Sequence, residues 1–188
     1  MNSVKLNTFG AHQAWTMARM ALERNTKFDQ ASTAAANKGL LVVGGPFGSA
    51  ISGGLFGIKA HGCGDVCADL DARACKGCRW VPSDIRRLPF GHRQFGAAFC
   101  AHVLEHMPSA ADCARAWAQL HRVADRVFVC VPGSDSLFAA LVPDHHLWVR
   151  ELDGSRLLVL ERFRRRLPRI GEGDPQFVIE ASGAFRPV

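Results

Sequence analysis

A chain of 188 residues with 48% hydrophobic and 21% charged residues can bury one sizeable core, which excludes a disordered linker or a charge-dominated tail. The net charge of +6 favours anionic neighbours without naming one, since a modest positive balance also keeps copies of a globular protein apart. Seven cysteines are an odd number and the polar, helix-like start has no secretory pattern, so reduced thiols in a cytoplasmic protein are expected rather than a disulfide scaffold.

In chain order, residues 10–24 place Trp15, Ala18 and Leu22 at helical spacing, which predicts an amphipathic helix. The alanine-rich stretch from Asp29 to Lys38 connects it to the core or continues it, so residues 1–38 form a helical extension and 39–188 the main domain. Gly39 to Ile58 carries no charge over about twenty positions, the length of a membrane span. Its glycines and Pro46 argue instead for a strand followed by a loop, and no membrane span is expected.

Apolar runs follow at Leu40–Val43, Val66–Asp71, Arg79–Ile85, Ala97–Ala101 and Val127–Val131. Between the last two, Ser109 stands three residues before Asp112 in the spacing of a helix cap, with Cys113, Trp117 and Leu120 on one buried face of a helix ending near Val123. Two further strands are expected at Leu157–Leu160 and Gln176–Glu180. Strands alternating with helices or loops predict an α/β fold, a doubly wound and mostly parallel sheet of Rossmann-like type.

In such a sheet the ligand crevice lies beyond the carboxyl ends of the strands. The residues there form an ordered set: Gly44, Gly45 and Gly48 after the first run, Asp69, Leu70 and Asp71 closing the second, Asp84 and Ile85 closing the third, Ala101 at the end of the fourth and His102 to His106 after it. Glycines let a ligand approach the backbone, one acid can accept from ribose hydroxyls, and a second can accept from an adenine amino group.

This set resembles the class I S-adenosylmethionine-dependent methyltransferases, especially the branch that carries an acid, then Leu-Pro-Phe, then a strand, then Leu-Glu-His. Here those residues are Asp84, Leu88-Pro89-Phe90, Phe95 to Cys100 and Leu104-Glu105-His106. The resemblance covers roughly residues 39–132 and implies a methyl transferase using S-adenosylmethionine on an unidentified small or macromolecular acceptor. It implies that Asp69 holds the ribose, that Asp84 and Ile85 flank the adenine, and that Cys100 to His102 border the methionine part. Three positions depart from the family pattern: Val42 replaces an acid, Pro46 a glycine, and Gly96 an acid of the fourth strand. Pro46 has no amide hydrogen to donate. These departures open an alternative, a non-catalytic binding or assembly module that keeps the fold and has lost the cofactor.

Four histidines join the candidate site. His102 and His145 are candidates for a general base, because imidazole titrates near neutral pH. Glu105 and His106 divide between helix-start hydrogen bonding and a direct part, and His145, His146 and Trp148 between an acceptor-pocket wall and packing. No metal is favoured. The alternative is zinc on Cys63, Cys67, Cys75 and Cys78, which would order the short segment Ala72–Cys78 and, with the basic run Arg162, Arg164, Arg165, Arg166 and Arg169, suit a zinc-stabilised nucleic-acid-binding protein.

Overall fold

The computed structural model describes residues 2–47, 59–133, 135–161 and 176–188. Five strands, β1 (Leu40–Val43), β2 (Val66–Asp69), β3 (Trp80–Pro82), β4 (Phe95–Ala101) and β5 (Ala124–Cys130), form one parallel sheet in the order β3-β2-β1-β4-β5. The chain leaves β1 toward β2 on one side and reaches β4 on the other, so the order reverses between β1 and β4. That reversal puts the crevice of a Rossmann-like sheet at the carboxyl ends of these two strands. β1 and β4 are buried along their whole length, as the central strands of a sheet covered on both faces must be.

Helix α2 (Ala110–Val123) covers one face. Its start is the expected cap: the Ser109 hydroxyl accepts from the Asp112 amide at 3.1 Å. Cys113, Trp117 and Leu120 are fully buried, and the Trp117 indole donates to the Ser155 carbonyl at 3.2 Å. Helix α1 (Asn2–Ala35) covers the other face, leaning on β4, β5 and β1. Here the predicted stripe is corrected. Trp15 and Leu22 are 67% and 68% exposed, whereas Thr16, Ala31 and Ala35 are buried and Lys27 reaches the Val129 carbonyl and Glu151. Small side chains face the sheet because α1 crosses it closely. A Cβ on Gly96 would collide with the Ala35 backbone, so the acid of the family pattern has no room at that position.

A separate antiparallel sheet, β6 (Leu147–Asp153), β7 (Arg156–Glu161), β8 (Gln176–Glu180) and β9 (Phe185–Pro187), follows a short helix α3 (Leu137–Leu141). β7 and β8 match the two expected strands, while β6 and β9 were not expected. Leu147, Leu157, Val159 and Ile179 join the same core as Trp117, which fuses the second sheet to the α2 face.

No described helix is long and apolar enough to cross a membrane, and the uncharged stretch begins as β1 rather than as a helix. Gly48 and the basic run at 162–169 lie outside the described residues.

The cysteine expectation is corrected. Cys63 is joined to Cys78 and Cys67 to Cys75, and only Cys100, Cys113 and Cys130 are free, all three buried. Sulfurs paired in disulfides offer no thiolate, so the zinc alternative on these four residues gives way to two cross-links. These hold the turns at 72–78 that replace a crossover helix.

Candidate functional site

The chain leaves β1 through Gly44, whose φ of +85° is a left-handed turn that glycine adopts without cost. A Cβ there would stand 2.8 Å from the Ala101 carbonyl oxygen, so the loop lies directly against the end of β4. Gly45 abuts the backbone of Ala74, and the Phe47 amide donates to the Ala74 carbonyl at 3.0 Å. The cross-linked turns after β2 therefore sit on the glycine loop.

Asp69, at the end of β2, accepts from the Gly45 amide at 2.8 Å with Oδ2 and from the Asp71 amide at 2.9 Å with Oδ1. Each carboxylate oxygen can accept a second hydrogen bond, so these contacts orient the group without exhausting it. Leu70 is 76% exposed beside it. Asp84 caps the 3-10 turn Ile85–Arg87 and is clasped by the Arg86 guanidinium, which also reaches Asp112 at 3.3 Å on α2. The hydrogen bonds from Arg86 hold the Asp84 carboxyl below the usual carboxylate range. Ile85 is buried in the core.

Beyond Ala101, His102 stands at a φ of +55°, uncommon for a residue with a side chain. Burial alone would lower the pKa of His102, but its contacts with Cys130 and Glu105 outweigh that and raise it to about 9. Its Nδ1 lies 3.3 Å from Glu105 Oε1. Glu105 is 1% exposed, in the 3-10 turn Leu104–His106, and its carboxylate has no hydrogen-bond partner among the described residues. A charge so placed is held by its ion pair and its surroundings rather than by water.

The turn meets the chain leading into β6. The His146 amide donates to the Glu105 carbonyl at 2.8 Å, His106 Nδ1 lies 3.1 Å from the Asp144 carbonyl, and the His106 and His145 rings meet edge to face at 4.7 Å. The structure thus gathers Gly44, Asp69 and Ala101 around the β1–β4 reversal and His102, Glu105, His106 and His145 around the end of β4, while Asp84 is turned into an ion-pair network with α2. The grouping of His145 with Glu105 and His106 had no signal in local sequence, since 38 residues lie between His106 and His145.

Residues 62–126 match the family described as methyltransferase domain. No curated protein matches the chain. Among solved structures, similarity extends to an S-adenosylmethionine-dependent methyltransferase from Clostridium acetobutylicum, at 10% identity and a TM-score of 0.39 over 79% of this chain and 63% of that one. The CcbJ methyltransferase from Streptomyces caelestis is 13% identical, with a TM-score of 0.41 over 88% of this chain and 69% of that one. SAM-bound CalS10, an amino pentose methyltransferase from Micromonospora echinaspora, is 15% identical, with a TM-score of 0.39 over 100% and 79%. This chain spans 63% of the length of the Clostridium protein, and no residue role passes to it from any of the three.

Proposed function

We propose that this chain, whose residues 62–126 match the family described as methyltransferase domain, transfers the methyl group of S-adenosylmethionine to an acceptor held at the carboxyl ends of its parallel strands. The observation that carries the reading is Asp69. It stands at the end of β2, is tied to the glycine loop through Gly45, and keeps accepting capacity for a ribose diol. The family match itself begins after the glycine loop and includes Asp69, Asp84 and Glu105.

The cofactor would supply a sulfonium methyl, an electrophile that needs an in-line nucleophile and little else. The chain's part is to hold and orient. Gly44 and Gly45 bring the backbone close, Asp69 and Leu70 face the ribose side, and the segment of Asp84 and Ile85 borders the adenine with its backbone, since the Asp84 carboxylate is held by Arg86 and the Ile85 side chain lies in the core. Ala101 and His102 border the methionine end, where Pro46 offers no amide. A His102 held protonated at neutral pH is a fixed positive charge, suited to a carboxylate, and the role of proton acceptor then falls to His145.

Calorimetric titration with S-adenosylhomocysteine tests the reading. Saturable binding weakened tenfold or more by Asp69→Ala supports it, and no heat at millimolar ligand overturns it. A second reading, a binding or assembly module without cofactor, is favoured by the cover that Ala74 lays over Gly45 and by Val42, fully buried where the family has an acid. The same titration separates the two.

A further inference from the structure

We infer that Glu105, His106 and His145 form a binding site for a divalent transition-metal ion, of which Zn²⁺ and Co²⁺ are the natural probes. Their ligand atoms all lie within 4.8 Å of one another. Tetrahedral ligands at bond lengths of roughly 2.0–2.2 Å stand ~3.4 Å apart, so modest side-chain rotation draws this set around one ion.

The chemistry of each ligand fits. Glu105 is buried to 1% exposure, and Oε2 has no hydrogen-bond partner among the described residues; the ion pair with His102 uses Oε1. Beside the His102 ion pair on Oε1, an ion bound at Oε2 would offset the cost of burying that second oxygen without a hydrogen bond. His106 can donate through Nδ1 to the Asp144 carbonyl, which selects the tautomer whose Nε2 carries the free lone pair. The bond from the His146 amide to the Glu105 carbonyl fixes the loop that carries His145 to the turn that carries the other two. One carboxylate and two imidazoles suit borderline ions such as zinc or cobalt better than magnesium or calcium.

Three protein ligands leave a fourth position open, as in catalytic rather than structural sites. The binding of metal stands on these residues alone; its use rests on the methyl-transfer reading. There the open position would take an oxygen of the acceptor and acidify it, its proton leaving to water, and His145 would be a ligand instead of a base.

The experiment uses the whole chain, oxidised and without a histidine tag, titrated with Co²⁺ and followed by its visible absorption, then with Zn²⁺ in competition. One equivalent of Co²⁺ is expected, with bands of four- or five-coordinate cobalt that Zn²⁺ displaces. His145→Ala and His106→Ala should each weaken binding at least tenfold, and the double variant at least a hundredfold. Because Glu105→Gln disturbs a buried position, the half-buried histidine variants carry the test, with far-ultraviolet circular dichroism confirming their fold. His92→Ala, exposed and distant in sequence, should bind as the parent does. No saturable binding by the parent chain, or equal affinity in the double variant, overturns the proposal. Titration of the same samples with S-adenosylhomocysteine keeps the two readings apart: metal bound without nucleoside sinks the cofactor reading alone, and nucleoside bound without metal sinks this one alone.

Discussion

The carboxyl ends of β1 and β2 and the carboxyl end of β4 lie in the same fold and are built in opposite ways. Around Gly44, Gly45 and Asp69 the polar groups are paired with the protein itself and the loop is braced by cross-linked turns. Around His102, Glu105, His106 and His145 a buried carboxylate lacks hydrogen bonds and several imidazoles crowd it. The first region is braced by its own backbone, with accepting capacity left on Asp69. The second holds a buried carboxylate paired on one oxygen with the His102 imidazole and without a hydrogen bond on the other, and buried charge is retained in a fold at a cost in stability. The contrast teaches where binding energy and where stability should reside.

Breaking the braces should give the largest effect on stability. Reducing both disulfides is expected to lower unfolding free energy by about 2–4 kcal/mol or more, measured by urea denaturation with and without a phosphine reductant. The three remaining thiols, being buried, should resist alkylation until the chain unfolds. Equal midpoints in both conditions would show that the turns at 72–78 are ordered without them.

The second region should reveal itself through pH. The pKa of His102 is about 9 in the folded chain and about 6.5 when unfolded, so its contribution to stability is complete below pH ~6.5 and is lost as pH rises through about 9. Glu105, Cys130 and His61 are the titratable groups that act on it or on which it acts. The loss should reach about 2–3 kcal/mol between pH 6.5 and 9.5 in chemical denaturation, and Glu105→Gln should flatten that slope. In the variant, the imidazole resonances of His102 should titrate nearer 6.5. An unchanged titration would leave the contact with Cys130 as the source of the shift.

Gly45→Ala sharpens the comparison from the other side. The added methyl meets the Ala74 backbone, so destabilisation of about 1–3 kcal/mol is expected, together with loss of S-adenosylhomocysteine affinity. Stability unchanged in the variant would mean that the loop and the turns part easily. The smallest effect should come from Arg73→Ala. Its ion pair with Asp71 is exposed to solvent, and neither the denaturation midpoint nor ligand affinity should move measurably.

Local sequence determined much of the frame. β1 emerged from a continuous apolar run, α2 from its Ser109 cap and its 113-117-120 stripe, and the parallel sheet from the alternation of apolar runs with helices and loops. These signals work because backbone period and capping chemistry are properties of neighbouring residues. The stripe on α1 misled for the complementary reason. Which face of a helix is buried depends on what it meets, and α1 meets the sheet so closely at Gly96 that alanines, not Trp15 and Leu22, are admitted.

Only the tertiary structure decided the pairing of the four cysteines, the reach of Arg86 from the Asp84 turn to Asp112 on α2, and the approach of His145 to Glu105 and His106. Each joins residues through space rather than along the chain, and no periodicity encodes such distances. The amino-acid order by itself set which strands form and which residues end them. The fold decided which of those residues are spent on one another and which, like the Glu105 carboxylate, are buried without a hydrogen bond.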